Sequence, residues 1–567
     1  MVTNYDYSFR VLMLRNREFH KRNISIEREI YCYREKYPQK KPLILIDLMH
    51  LDKLRTGDKE ESNLRNICGP DLSRLSKFES LLRFLRNQCK AELVFFVDGP
   101  HSGDVYEECF RSVKVDRKDE RYANDIELID IIERGEYHGQ RHAPTDRILF
   151  HSIKTMAERY GTLWYALTNS RKLEIAKYAV EHAALAIIAK SSDYLLYVDK
   201  IQIKIWDMAF LDVNTMTVSE MDHLTVCRRM GLITAEKRRL MAALLPGSVM
   251  GLHVLGDDVT RVYDLVQATP EKITADVYRD IANRLFGSED KANELQKACE
   301  VIYDTGKMQL SVQEKNIDYS YDVLANRTTT FTLMLNDLRY WESRDIDLYK
   351  LVVDCHGRMA GLVLKRAGLP CEPDTMRRMR IKRNHEEIFG YHLIKVVYPS
   401  FEVNVRSDDS TESISESNIE CLKFVLDLAY LSMDRLILLV DNRPDDKQSK
   451  LLDYVTVYFM VQKNLVTSDM ADVILLTIEQ YSSDDEGLKR TPSNINMEAF
   501  HATFMYVRWR FYIHNILNIC EFPSFCIDNE AHLDGVMMQN LYQSFVRNPQ
   551  SLQEYNIEAV RANRLHD

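Results

Sequence analysis

The sequence predicts an α/β domain on a central, mostly parallel sheet, followed by a mainly helical C-terminal domain. Two continuous apolar runs, residues 43–48 (LILIDL) and 93–97 (LVFFV), flank LSRLSKFESLLRFLRNQC, whose apolar residues recur at three and four. Short buried strands alternating with amphipathic helices imply parallel pairing. Further on, residues 311–567 carry long helical patterns such as LYKLVVDCHGRMAGLVLKRAG, IECLKFVLDLAYLSMDRLILLV and KLLDYVTVYFMVQKNLV.

Taken in order, residues 1–40 form a polar, charged N-terminal extension with a helical rhythm (SIEREIYCYREKY) that ends at QKKP. The domain proper spans 41–250. After the two runs, ILFHSIKTMAERYG reads as a helix with Gly161 as its C-cap. TLWYAL is a strand, RKLEIAKYAVEHA a helix, LAIIA a strand ending at Ser191-Ser192-Asp193, and IKIWDMAFL a further strand or hairpin arm. Residues 251–310 continue as helix (ITADVYRDIANRLF, NELQKACEVIYD). The C-terminal domain, 311–567, is interrupted by acidic, Ser-rich loops near 406–418 and 482–487. No internal repeat is visible.

Composition bounds the function classes. The 567 residues correspond to about three or four domains. With 75 Lys+Arg against 85 Asp+Glu, the formal charge is −10, which argues against bulk electrostatic coating of nucleic acid but leaves room for a local basic surface. Apolar content of 45% suffices for large cores. No apolar run approaches the roughly 18 residues of a membrane span, and MVTNYDYSFRVLMLRNREFHKRN lacks the apolar core of a secretory signal. The 11 cysteines are scattered without a CxxC pair, the pattern of reduced, mostly buried thiols rather than a disulfide framework or zinc ribbon. The expected location is the cytoplasm, with nuclear access open.

Asp47, Asp98 and Asp193 share one property: each closes a predicted buried strand. In an open parallel sheet that edge is where ligands and chemistry collect. One such aspartate often only caps the next helix; three at successive strand ends point to a shared acidic cleft.

These aspartates and their surroundings resemble the flap endonuclease/XPG nuclease superfamily, whose fold is PIN-like. LILIDL resembles its first strand, FFVDGP its second, and SRKLEIAKYAVEHAALAIIAKSSDYLLY the stretch with an acid-x-acid helix and a strand ending D-x-D. MTVSEMDHLTVCRRMGLITAEKRRLMAALLPGSV resembles the return through two helices to a G-[SN]-D motif, so the likeness covers roughly 43–250. Within the superfamily the spacing is most similar to the asteroid branch, with the constitutive coactivator of PPAR-gamma and Mkt-type post-transcriptional regulators. The helical C-terminal body, with RRMRIKRNHEEIFGYHLIKV, suits that branch.

The resemblance implies about seven carboxylates around two divalent ions, and here it breaks. Asp47, Asp98 and Asp193 are kept, but the acid-x-acid pair falls on Ser170 and Lys172, the first D-x-D position on Ser191, and the last motif acid on Val249. Three acids against one ammonium leave about −2, too little for two ions that carry four positive charges. Lys172 is expected to satisfy Asp47 or Asp98 as an internal ion pair. The alternative is a reduced site in which Glu174, one turn beyond Ser170, joins Asp47, Asp98 and Asp193 to hold one Mg²⁺ or Mn²⁺. Against it stands the plainer reading of Glu174 as a solvated helix residue, and of Asp52 and Asp199 as loop charges.

Two further segments bear on nucleic acid. Arg377, Arg378, Arg380, Lys382 and Arg383 fall within seven residues, able to contact RNA phosphates, act as a nuclear address or form one face of a surface helix. In FMYVRWRFYIHNIL the alternation of Arg508 and Arg510 with aromatics suits base stacking, but a core helix is favoured. The insertion 111–147 takes the place where family nucleases raise an arch, yet it balances acids and bases, which fits protein docking better. His138, His142 and His151 have no matching acids for zinc, and GxxxxGK[ST], GxSxG and HExxH are absent. The expectation is a catalytically degenerate, flap endonuclease-like protein, leaning away from enzymatic activity. It would act as an RNA-associated scaffold or post-transcriptional adaptor that needs no cofactor and binds protein partners through the helical domain and the insertion. The alternatives are a Mg- or Mn-dependent endonuclease and a scaffold with no nucleic acid contact.

Overall fold

The computed structural model describes residues 20–48, 68–69, 72–98, 134, 150–166, 171–190, 194, 203–244, 259–301, 329–332, 347–372, 374–382, 392–403, 414–428, 431, 434, 436, 450–480, 485–523, 533–555 and 557–562. The insertion at 111–147 therefore lies almost wholly outside the described residues. The chain divides into two compact units, one of residues 1–55, 76–118 and 156–315, the other of 56–75, 119–155 and 316–567.

The first unit is an α/β body. Its strands are β1 (His20–Ser25), β2 (Leu43–Asp47), β3 (Glu92–Asp98), β4 (Thr162–Ala166), β5 (Ala186–Ala189), β6 (Lys204–Asp212) and β7 (Thr217–Met221). They form one sheet in the order β1-β7-β6-β5-β2-β3-β4. β4, β3, β2, β5 and β6 run parallel, while β7 is antiparallel to both β6 and β1. The sheet is thus mixed at one side and parallel through the middle. β1 falls inside the segment expected to be an extension, and supplies an edge strand.

Helices alternate with these strands: α1 (Ile26–Lys36), α2 (Leu72–Arg83), α3 (Phe150–Tyr160), α4 (Arg171–Glu181), α5 (His223–Arg229), α6 (Ala235–Leu244), α7 (Val259–Ala268), α8 (Ala275–Phe286) and α9 (Lys291–Val301). Leu43, Leu45, Val94, Phe96, Ile187, Ala189 and Ile205 on one sheet face join residues of α4 to α9 in a single apolar core. The alternate residues Ile44, Ile46, Phe95 and Ile188 are equally buried, as a parallel sheet covered on both faces requires. Gly161 lacks a left-handed backbone; it is needed because a Cβ there would stand 2.2 Å from the Leu93 carbonyl oxygen.

β2 is flanked by β3 and β5, so the chain winds outward from β2 to β4 and then returns across it. β2 is the switch point, and the crevice at its carboxyl end is where an open sheet of this kind takes a ligand.

The second unit is helix-rich: α10 (Leu348–Arg366), α11 (Glu416–Leu426), α12 (Leu451–Gln462), α13 (Ser468–Glu479), α14 (Glu486–Lys489), α15 (Met497–Ile519), α16 (Gly535–Arg547) and α17 (Ile557–Ala562). Ser415 caps α11 in a reciprocal capping box with Asn418, and the helix stops at Asp427, short of the continuous helix expected to 440. Strands β8 (Thr329–Thr332), β9 (Met376–Lys382) and β10 (His392–Lys395) form a small sheet in the order β10-β9-β8. α10 backs β10 closely: the Val397 amide donates to the Gly357 carbonyl at 3.0 Å, and a Cβ on Gly361 would meet the Val397 oxygen at 1.8 Å.

In α15, Tyr506, Trp509, Arg510 and Tyr512 are buried, as a core helix demands. Asp453 of α12 is fully buried and accepts from the Tyr506 hydroxyl at 2.6 Å and from Arg510 Nε. A charge buried at this depth is tolerable only when so paired. Among the described cysteines none is bridged, and only Cys32 and Cys371 are exposed. Among the described residues no helix is long and apolar enough to cross a membrane.

Candidate functional site

β2 ends on Asp47 because four apolar residues before it fill the central strand on both faces, and the acid marks where the strand leaves the core. Alternation places Asp47 on the same face as Leu43 and Leu45, the face that carries α4. Asp47 has no solvent exposure at all. Its carboxylate is met by Arg171, the first residue of α4: Nε donates to Oδ1 at 2.9 Å and Nη2 to Oδ2 at 3.4 Å. This is a two-point guanidinium–carboxylate pair, the stronger and more directional kind of ion pair.

α4 is buried around most of its circumference, through Arg171, Leu173, Glu174, Ile175, Ala176 and Ala179. A guanidinium in its first turn is held away from water and needs a counter-charge, which Asp47 supplies. Arg171 is thus a cation on Asp47 that the sequence did not announce; the expected Lys172, next along α4, is half-buried. Glu174 is 1% exposed, so it is a buried acid and not the solvated helix residue of the plainer reading. It lies three residues from Arg171, on the same side of the helix.

The register shows one acid that the strand-end pattern missed. Asp47 pairs with Phe96, Ile46 with Ile188, and Ala189 with Asp207, which in turn faces Ser219. Asp47 and Asp207 thus occupy one row of the sheet, separated by β5 and by about 10 Å, two strand spacings. Asp207 is buried, and so is Ser219. Its mid-strand place in IKIWDMAFL hid it; its two-residue offset from Ile205, which faces the α4 core, was the available signal.

Asp98 is the last residue of β3, paired with Ala166 of β4. Ser170, Ser191, Asp193 and Val249 lie outside the described residues, as do Asp52, Asp199, His138 and His142. Among the described residues, no three His, Cys, Asp or Glu side chains gather closely enough to hold a metal ion. The described part of the crevice does not fit a two-ion centre: both oxygens of its central aspartate accept from one guanidinium, and a divalent ion would have to displace it.

The basic run is a strand, not a helix. Met376–Lys382 forms β9, antiparallel to β10 and parallel to β8. Positions 378, 380 and 382 share a face with Leu393 and Lys395 of β10, while position 377 lies on the other with Ile394. Leu393 is 58% exposed and Ile394 is buried, so the first of these is the open face. Arg383 lies outside the described residues.

No protein-family model matches the sequence, and no curated protein matches it. Among solved structures, the chain is similar to the catalytic core of Rad2 in complex with DNA substrate, with 12% identity over 49% of this chain and 95% of that one, at a TM-score of 0.24. It is also similar to human GEN1 in complex with Holliday junction DNA, with 13% identity over 71% of this chain and 89% of that one, at a TM-score of 0.29.

Proposed function

We propose that the chain is a catalytically degenerate relative of the flap endonuclease-type nucleases that works as an RNA-associated scaffold or post-transcriptional adaptor in the cytoplasm. The observation that carries this reading is the Arg171–Asp47 pair. In a metal-dependent nuclease the central strand-end aspartate must offer its oxygens to an ion. Here a side chain of the same chain takes both. The sheet supports the reading as well: β2 is the switch point, and at its carboxyl end Asp47 and, on the neighbouring strand, Asp98 close their strands. Sequence motifs over 43–250 supply the family, and the branch nearest in spacing supplies the adaptor role.

RNA contact is assigned first to the open face of the β10-β9-β8 sheet. There positions 378, 380 and 382, basic in the sequence, follow one another at about 6.8 Å along the backbone, twice the strand rise. Protein partners are assigned to the helical second unit and the 111–147 insertion.

Glu174 favours a second reading. A buried acid in the first turn of α4 is what a reduced site of Asp47, Asp98, Glu174 and Asp193 would need to hold Mg²⁺ or Mn²⁺ as a metal-dependent endonuclease. One experiment separates the two. The purified full chain is incubated with labelled single-stranded RNA and flap DNA, with Mn²⁺ and with EDTA. The adaptor binds RNA with a steep salt dependence and cleaves nothing under either condition. Cleavage that EDTA and Asp98→Asn both abolish overturns the adaptor reading.

A further inference from the structure

The strongest unassigned surface lies at the opposite edge of the first unit's sheet from Asp47. α1 buries only Ile26 and Ile30, so it is a peripheral helix anchored along one line. Its last turn is pinned at two points. Arg34 donates to the Cys89 carbonyl, three residues before β3, and the Tyr33 hydroxyl reaches the Ala183 carbonyl at 3.5 Å, three residues before β5. The helix end is thereby fixed where the parallel strands begin, while the acids stand where they end.

What this end carries is aromatic and basic. The Tyr33 and Tyr37 rings are in contact, with centroids 5.0 Å apart. Lys36 Nζ lies 5.2 Å and Lys40 Nζ 5.7 Å from the Tyr37 ring centroid. Lys40 is folded back by a turn in which its amide donates to the Tyr37 carbonyl at 2.9 Å. Tyr37 is 38% exposed, Tyr31 61%, and residues 35–41 are exposed throughout. Residues 34–41 hold four basic side chains and one acid, in a chain whose net charge is −10. The last turn of a helix ordinarily favours basic residues, here Arg34 and Lys36, and the turn beyond it adds Lys40 and Lys41.

We infer that the Tyr37–Lys36–Lys40 surface is a stacking platform for single-stranded nucleic acid, which takes a base against the Tyr37 ring and phosphates on the flanking ammoniums. The inference rests on the RNA-associated reading and gives it a second contact site, separate from β9. An exposed ammonium–ring contact is weaker than base–aromatic stacking. An incoming base therefore displaces an ammonium from the ring, and the released ammonium, already held beside it, meets the adjoining phosphate. An acidic protein would satisfy the lysines but gain nothing from the ring, which is why nucleic acid is the occupant argued for.

The test uses the full chain and a fluorescein-labelled 20-mer of oligouridine, read by anisotropy across a salt series, with polyglutamate as a second probe. Tyr37→Ala is expected to weaken oligouridine binding about tenfold with the salt slope unchanged, and Tyr37→Phe to restore it. Lys36→Ala with Lys40→Ala is expected to lower the slope of log K against log salt by about 1.4, for two lost contacts on a single strand. All three side chains altered are exposed, and circular dichroism of each variant confirms that it folds. If the wild type binds oligouridine and these variants bind equally well, the platform is wrong and the RNA reading stands. If the wild type binds polyglutamate as tightly and Tyr37→Ala has no effect, the surface serves an acidic protein. If the wild type binds no RNA, both the platform and the RNA reading fall.

Discussion

Arg171 Nε stands 2.9 Å from Asp47 Oδ1 across 124 residues of sequence, and neither side chain has appreciable access to water. The pair ties the first turn of α4 to the carboxyl end of β2, so its energetic role is separable from any chemistry. Removing one partner leaves a buried charge uncompensated. Arg171→Met is expected to lower stability by about 3–5 kcal/mol, read as a shift of the denaturant midpoint. Asp47→Leu combined with Arg171→Met is expected to recover most of that loss, because an apolar pair of similar volume replaces both charges. Additive losses in the double variant would count against the pair as the cause.

The same geometry makes a prediction about divalent ions. In titration calorimetry with Mn²⁺, Lys172→Glu is expected to leave binding as in the wild type, because the guanidinium on Asp47 is untouched. Arg171→Gln is expected to raise Mn²⁺ affinity, since the guanidinium that donates to both Asp47 oxygens is then gone. A wild type that already binds Mn²⁺ tightly would contradict the proposed function.

In the second unit, His356 is buried with Nε2 3.0 Å from the Tyr512 hydroxyl, and burial pushes it down from its ordinary 6.5 to about 3. The native imidazole is therefore neutral where the unfolded one takes a proton. Between those two values the unfolded state binds more protons, so stability falls as pH falls, by up to roughly 1.4 kcal/mol per pH unit. Above 6.5 the group contributes no pH dependence. Denaturant midpoints from pH 7.5 down to 4.5 should show this slope, and His356→Gln should reduce it, the remainder coming from His514, which burial also pushes down to about 3.

Two glycines give a paired test of packing. Gly361→Ala drives a Cβ onto the Val397 carbonyl oxygen, where backbone and not a flexible side chain must yield. A loss of more than about 2 kcal/mol is expected. Gly287→Ala meets nothing within 4 Å but holds a left-handed backbone at φ 65°, so the expected loss is only about 1 kcal/mol. Thermal melts of the two variants should rank them in that order.

The elements that the sequence made legible are those with strong local signals. LILID, ELVFFVD, TLWYA and AIIA are strands because β-branched and aromatic residues fill both faces of a covered sheet. β1 was hidden because HKRNIS is polar: an edge strand is held by backbone pairing and has no continuous apolar run to announce it. β9 was hidden by charge density, which masks the alternation of MRRMRIK. Asp47 could be named from its strand alone. Arg171 could not, because which side chain of α4 meets that acid depends on the rotation of the helix, and one residue turns it by about 100°.

β1 has a consequence for any shortened form of the protein. It pairs with β7 through His20–Met221, Lys21–Glu220, Ile24–Val218 and Ser25–Thr217. A chain started after residue 25 would keep every acid named here and the whole apolar core, yet leave β7 with a bare row of amide and carbonyl groups. Such an edge recruits whatever strand it meets, including that of another copy. The segment that looks most dispensable gives the sheet a basic edge, irregular between Lys21 and Ile24, in place of the regular edge of β7.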